Sequence, residues 1–333
     1  MEAIKESLLL GFPSVISYEC SKKLIEQMEK NICKIKIGKE QGTGFFCQIP
    51  FPNKINMLPV FITNNHIINH DLLYQKNMQI EINIKKENQI KVINLDNRMK
   101  YTNEEYDITI IEIKSKDNIK SYLELDDQII NAIIEKKNKN EEYIDNTIYI
   151  IQYANANLSV SYGILNNIPD KNYNFYHKCS TQQGSSGSPI LNVDNKVIGI
   201  HKLGFFSKFF NNNIGIFLNY PIIEFIKSNY DEYKNEIFLK RFNKKYNLDI
   251  KDTRVEKISL VGKNIGNDGL EDLIKIQFRE LKELNLKSNN ITDIKVLEKL
   301  KFEKLEKLDL GLNKIDKNNY SSIIGILKFK LNI

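Results

Sequence analysis

Short runs of apolar, β-branched and aromatic residues recur along the first two thirds of the chain, each bounded by polar or turn-forming residues. Such runs are typical of β-strands, and little helical periodicity lies between them. The pattern therefore predicts an all-β fold, and two six-stranded barrels would account for the runs. The predicted strands are residues 32–37, 43–49, 58–63, 78–84, 90–95, 108–113, 147–153, 158–165, 189–193, 196–202 and 214–218.

Helical spacing of apolar residues is found at both ends of this β-rich region. Residues 14–31 carry apolar positions that predict a helix packed on the back of a barrel, within an N-terminal helical segment, residues 1–30. After residue 220 a second helical pattern begins, and a linker helix is predicted over residues 236–252. The charged stretch 135–142 contains no apolar residue and predicts a solvated loop.

A repeat occupies the last part of the chain, residues 253–333. Units beginning at Val255, Leu281 and Leu305 share the spacing of their next apolar residues, and they start 26 and 24 residues apart. This period is typical of leucine-rich repeats, in which each unit forms a short strand, an asparagine turn and a helical return. We expect the repeats to recruit protein partners, although a purely structural extension remains an alternative.

One serine stands among small residues, where a tight turn can expose its hydroxyl and direct backbone N–H groups at one point. The segment reads Gly184-Ser185-Ser186-Gly187-Ser188-Pro189. Serine alone is a poor nucleophile and needs a base to take its proton and a carboxylate to orient that base.

Both partners of a nucleophilic serine have candidates upstream. His66 lies at the end of the predicted strand 58–63, and Asp107 directly precedes the isoleucine-rich strand 108–113. His70 and Asp96 compete for these roles, but each lies in a polar stretch away from a strand that could hold it rigidly. The order along the chain is therefore His66, Asp107, Ser186.

These three segments, in this order, resemble the trypsin/chymotrypsin superfamily of serine endopeptidases, and the resemblance covers roughly residues 30 to 230. It implies a chymotrypsin-like double barrel over residues 31–235. It also implies that Ser186 is the nucleophile, His66 the general base and Asp107 the group that orients the imidazole. The backbone N–H groups of Gly184 and Ser186 would then form the oxyanion hole.

Within that superfamily, the chain is most similar to the bacterial glutamyl endopeptidases. The resemblance rests on Ser180-Thr181 before the serine motif and Gly199-Ile200-His201 after it. It implies that Thr181 and His201 line the primary specificity pocket and that Gly204 lets a substrate strand approach closely. Picornaviral proteases use a similar pair for glutamine, so cleavage after Glu or Gln is expected. A His201 that merely caps a strand edge is the alternative.

Composition excludes several other classes of function. The net charge of +6 is spread along 333 residues, so no nucleic-acid site is indicated. The four cysteines lack metal-binding spacing, and neither a metal nor another cofactor is expected. No stretch is apolar enough to span a membrane, and the first residues lack the core of a signal peptide, which favours a cytoplasmic, intracellular protein.

The sequence as a whole predicts an intracellular serine endopeptidase that acts on protein or peptide substrates and carries C-terminal leucine-rich repeats. The alternative, from another class, is a catalytically inactive protease-fold protein that binds partners through its repeats.

Overall fold

The chain divides into two compact units, Met1–Asn229 and Tyr230–Ile333. A computed structural model describes residues 11–38, 40–51, 55–85, 90–169, 172–206, 211–299, 302–315 and 330–332. The two units are considered in turn below.

The first sheet of the first unit has eight strands. In order across the sheet the path is β5-β4-β1-β2-β3-β7-β6, and β8 pairs with β2 in parallel. Its strands are β1 Ile32–Ile37, β2 Glu40–Pro50, β3 Met57–Thr63, β4 Gln79–Ile84, β5 Ile90–Asn94, β6 Lys100–Asn103, β7 Ile108–Glu112 and β8 Leu123–Glu124.

This first sheet differs from the predicted closed six-stranded barrel, because β5 and β6 do not pair among the described residues. The buried side chain of Arg98 lies in the connection between β5 and β6. Its guanidinium donates to the carbonyl oxygens of Asn94 and Glu112, at 2.5 and 2.9 Å, and to the carboxylate of Asp117. These backbone acceptors are thus satisfied by a side chain rather than by a neighbouring strand.

The second sheet of the first unit is a closed six-stranded barrel, as predicted. Its order is β10-β11-β14-β13-β12-β9, and all its pairs are antiparallel. Every residue of β9 is buried. The strands are β9 Thr147–Ala154, β10 Asn157–Asn167, β11 Asn174–His177, β12 Pro189–Asn192, β13 Val197–Phe206 and β14 Asn211–Phe217.

The helices agree only in part with the sequence pattern. The expected helices near both ends of the β-rich region are α1 Tyr18–Asn31 and α4 Asn219–Tyr246. The predicted linker helix, residues 236–252, is no separate element, because α4 continues through residues 236–246 and ends at Tyr246. Residues 1–10 of the predicted N-terminal segment lie outside the described residues.

Two further helices, α2 His70–Tyr74 and α3 Asp127–Glu135, were not expected from the sequence. The stretch predicted as a solvated loop begins at the end of α3 and includes most of a 3-10 helix, Asn140–Tyr143. Tyr143 is buried and stacks on Phe217, with ring centroids 5.8 Å apart. The loop is therefore anchored at its end.

The second unit contains a parallel sheet whose strands follow the sequence order, β15 Lys257–Ser259, β16 Glu283–Asn285, β17 Lys307–Asp309 and β18 Lys330–Asn332. The helix α5, Gly266–Leu273, follows β15. Asn289 is buried, and its Nδ2 donates to the carbonyl oxygens of Leu260 and Leu286, at 2.8 and 2.9 Å. Asn313 makes the equivalent pair of bonds one repeat later. The assignment to leucine-rich repeats stays a prediction.

Candidate active site

His66 lies in the turn that follows β3. The turn is closed by the N–H groups of Ile67 and Ile68, which both donate to the carbonyl oxygen of Asn64. Asn64 also reaches the partner segment, because its Nδ2 donates to the carbonyl oxygen of Asp107 at 2.7 Å. The turn therefore fixes His66 against Asp107 while leaving the imidazole 44% exposed.

Asp107 directly precedes β7 and is buried, with a left-handed φ of 50°. Its Oδ1 accepts from the backbone N–H of His66 at 3.0 Å, and its Oδ2 lies 2.8 Å from His66 Nδ1. The carboxylate can only accept, so the short contact favours the tautomer in which Nδ1 carries the proton. The lone pair on Nε2 is then available to act as a base.

The serine turn packs directly against the segment that leads to His66. Thr43 N–H donates to the carbonyl oxygen of Ser186 at 2.8 Å. A Cβ on Gly187 would lie 2.1 Å from the carbonyl oxygen of Thr43, 2.7 Å from Thr63 Oγ1 and 3.3 Å from the backbone nitrogen of Asn64. Only a residue without a side chain allows this approach, which brings half-exposed Ser186 to the end of β3.

Two backbone N–H groups of this turn have no acceptor among the described residues, those of Gly184 and Ser186. The carbonyl oxygens of the two preceding residues are already hydrogen-bonded. Gln183 O accepts from Asn155 N–H at 2.8 Å, and Ser185 O accepts from Ser188 N–H at 3.1 Å. In a trans peptide the N–H points opposite to the C=O. Both N–H groups are thus directed away from these bonds and remain available to an anionic oxygen.

Gly184 is the second position of this turn where no side chain fits. Its φ is +90°, and a Cβ would lie 2.5 Å from the carbonyl oxygen of Tyr153. Thr43 braces the same place, since its Oγ1 donates to Gly184 O at 2.7 Å and accepts from Tyr153 N–H at 3.0 Å.

The residues predicted to line the specificity pocket are linked through two others. Thr181 Oγ1 lies 3.0 Å from Asn213 Oδ1, and Asn213 Nδ2 donates to the carbonyl oxygen of Cys179 at 2.6 Å. Asn213 pairs with His177 between β11 and β14, and the ring of His177 meets that of His201 edge-on, with centroids 5.5 Å apart. The structure therefore brings Thr181 and His201 into one cluster.

Both imidazoles of this cluster are held in the neutral form. The pKa of His201 is lowered to about 4, mainly by burial and to a smaller extent by the charge of His66, while a hydrogen bond with the backbone of Ile214 acts in the opposite direction. Burial also places the pKa of His177 well below its ordinary value, with a smaller contribution from His201. Above about pH 5 the cluster carries no positive charge.

Gly204 is exposed on β13, where it pairs with Asn213. It thus lies next to the pocket cluster, as a residue that contacts a substrate strand should; that role stays a prediction. The sequence interpretation missed Thr43, His177 and Asn213. The sequence offered little signal for Asn213, because it precedes the predicted strand 214–218 and asparagine is depleted in strands.

The described residues include no group of three or more His, Cys, Asp or Glu side chains that could hold a metal ion. Among the same residues, no helix combines the length and the apolar character needed to cross a bilayer. The four cysteines form no disulfide, and burial raises the pKa of the Cys179 thiol to about 12. A buried thiol of this kind is a poor nucleophile.

Comparison with known families gives a match over the middle of the chain. The family model described as the trypsin-like peptidase domain matches residues 42–200, just under half of the chain. This range contains His66, Asp107 and Ser186 and ends one residue before His201. No curated protein matches the chain in sequence. Residues 42–200 are therefore similar to trypsin-like peptidase domains.

Several solved structures align with part of this chain at low sequence identity and with TM-scores below 0.5. A serine endoprotease from Yersinia pestis is 16% identical with a TM-score of 0.42, over 61% of this chain and 63% of that one. The chain thus spans less than two thirds of the Yersinia pestis protein. A human pathogenic astrovirus serine protease is 16% identical with a TM-score of 0.37, over 56% and 89%. An inactive form of an M. tuberculosis protein is 11% identical with a TM-score of 0.43, over 66% and 96%.

Proposed function

We propose that this chain is a serine endopeptidase that hydrolyses peptide bonds through His66, Asp107 and Ser186. The observation that carries the proposal is the 2.8 Å contact between His66 Nδ1 and Asp107 Oδ2, next to a serine turn with two available N–H groups. A histidine with a purely structural role would require neither an orienting carboxylate nor a neighbouring turn with available N–H groups. The match of residues 42–200 to the trypsin-like peptidase domain supports the same proposal.

The proposed reaction has two halves, acylation of Ser186 and hydrolysis of the resulting ester. Ser186 Oγ attacks the carbonyl carbon of the scissile bond while His66 Nε2 takes the hydroxyl proton, and the carbonyl oxygen becomes an oxyanion. The N–H groups of Gly184 and Ser186 stabilise that charge. His66 then gives the proton to the leaving amine, which leaves an acyl ester on Ser186. A water molecule, activated by His66, hydrolyses the ester and restores the enzyme.

Asp107 acts through the imidazole rather than on the substrate. Its two contacts with His66, one to the backbone and one to the ring, fix the ring position and stabilise the imidazolium that forms in each step. Because Asp107 is buried and His66 is 44% exposed, the pair presents only the imidazole to a substrate.

The pocket around Thr181 and His201 is proposed to receive a Glu or Gln side chain before the scissile bond. It is lined by neutral hydrogen-bonding groups, and a site of this kind rejects apolar side chains because its buried polar atoms would lose their partners. The second unit is proposed to recruit protein partners through leucine-rich repeats. Its support is the parallel sheet and the pair of asparagines, buried Asn289 and partly buried Asn313, that make equivalent backbone hydrogen bonds one repeat apart.

A fluorophosphonate probe tests the nucleophile. Ser186 Oγ should form a bond to phosphorus and displace fluoride, and peptide mapping should place the adduct on Ser186. The Ser186→Ala variant should not react. Ser188→Ala is the matched control, because its hydroxyl is buried in the same turn and has no hydrogen-bond partner among the described residues. Folded wild-type protein without any adduct would instead favour the inactive binding protein.

A further inference from the structure

The hydrogen bonds behind the specificity pocket run in one fixed direction. The carbonyl oxygen of Cys179 can only accept, so the atom of Asn213 that lies 2.6 Å from it is the amide nitrogen. Asn213 Oδ1 therefore faces Thr181 and can only accept as well. The contact of 3.0 Å between them is then a bond in which the Thr181 hydroxyl donates.

This direction decides what Thr181 can offer to a guest. A hydroxyl has one hydrogen and two lone pairs, and the hydrogen is already directed at Asn213. Only lone pairs remain, so Thr181 can accept a hydrogen bond from a guest but cannot donate one. Asn213 is itself buried and anchored at both ends, which prevents the network from reversing.

The second pocket residue does not supply a positive charge. His201 is 3% exposed and packs against the equally buried His177. The titratable groups that act on it are His66 and His177, and neither is an acid that would favour its protonation. A negatively charged guest would lose its hydration here without gaining an ion pair.

We propose that this pocket selects glutamine over glutamate in the residue before the scissile bond. The inference rests on the proposed function and narrows it. The amide group of a glutamine side chain can donate to the lone pairs of Thr181, whereas a carboxylate would set its own lone pairs against them. Asn213 is then a positioning residue that sets the direction of the Thr181 hydroxyl.

Two peptides that differ only in Gln or Glu before the scissile bond test the selection. At pH 7.5 we expect kcat/KM to be about tenfold or more higher for the Gln peptide, the effect of one unpaired buried group. As the pH falls toward 5, the Glu side chain begins to protonate and the ratio of Gln to Glu should shrink. A loss of catalytic activity that is common to both peptides cancels in this ratio of kcat/KM values.

Variants assign the selection to the network. Thr181→Val keeps the shape of the side chain but removes the acceptor, and Asn213→Ala releases the Thr181 hydroxyl so that it can donate to a carboxylate. Each should bring the Gln to Glu ratio toward one. Asn212→Ala, next to Asn213 on β14, is the matched control and should leave the ratio unchanged.

The outcomes separate the pocket from the catalysis. An active enzyme that cleaves the Glu peptide as well as the Gln peptide at pH 7.5 overturns the pocket inference and leaves the proposed function intact. If neither peptide is cleaved, the proposed function is at fault, and binding of both peptides to Ser186→Ala is measured by fluorescence anisotropy. Tighter binding of the Gln peptide supports the pocket, and equal binding overturns it.

Discussion

Substitution of Gly187 by alanine tests how the fold places the serine turn. The new Cβ would lie 2.1 Å from the carbonyl oxygen of Thr43, whereas ordinary contacts of this kind begin near 3.4 Å. The turn or β2 would therefore have to move by more than 1 Å. Gly187 also has a φ of +85°, a conformation that costs an alanine roughly 1–2 kcal/mol.

Gly38 separates these two costs. It has a φ of +59°, and nothing lies within 4 Å of the position of its Cβ. Gly38→Ala should therefore lose only the backbone term, about 1–2 kcal/mol of the free energy of unfolding. Gly187→Ala should lose roughly 1–3 kcal/mol more from overpacking, which gives a total of about 2–5 kcal/mol.

The displacement should also reach catalysis, because Ser186 precedes Gly187 and a misplacement of about 1 Å costs roughly 100-fold in rate. Urea unfolding measures the stability of both variants, and the rate of fluorophosphonate labelling measures the active site. Gly38→Ala should label at the wild-type rate and Gly187→Ala about 100-fold more slowly. Equal stability and equal labelling of the two variants would refute the argument from the close approach.

Two further predictions concern stability. Burial lowers the pKa of His177 and His201 below the unfolded value of about 6.5, so below that pH the unfolded chain binds more protons than the folded chain. The free energy of unfolding should therefore fall from pH 6.5 toward 4, by about 3 kcal/mol for His201 alone. Urea titrations at several pH values should show a smaller decline in His177→Phe, whereas exposed His70→Gln should keep the wild-type decline. Asn289→Ala should destabilise the second unit by about 2–4 kcal/mol in thermal unfolding, because several buried backbone groups lose their hydrogen-bond partner. The exposed Asn290→Ala is the control, and an equal loss of stability in that variant would contradict the role given to Asn289.

The strands rich in β-branched residues could be predicted from the sequence because their own side chains form the core. β6 and β11 could not, since each is short and mixes polar with aromatic residues. The burial of β11 depends on tertiary packing, as shown by Phe175, whose ring lies 4.5 Å from that of Phe217. The missing pairing of β5 with β6 was not predictable either, because closure of a sheet depends on its three-dimensional course and leaves no pattern in the sequence.

The candidate site was predictable where chemistry and strand ends coincide. His66 and Asp107 each stand at one end of an apolar strand, which made them candidates, and the family resemblance implied that they meet. The structure places them in contact. Asn213 and Thr43 were not predictable, because each acts across the fold on a residue far away in the chain, Asn213 on Cys179 and Thr43 on Gly184. Such pairs depend on strand register, which a single sequence does not reveal.

A crystal structure of the protein after reaction with a peptidyl phosphonate tests the central claim most directly. The account predicts a bond from Ser186 Oγ to phosphorus, the phosphoryl oxygen within hydrogen-bond distance of the N–H groups of Gly184 and Ser186, and His66 Nε2 facing the adduct. An adduct on another side chain, or a phosphoryl oxygen directed away from both N–H groups, would contradict it.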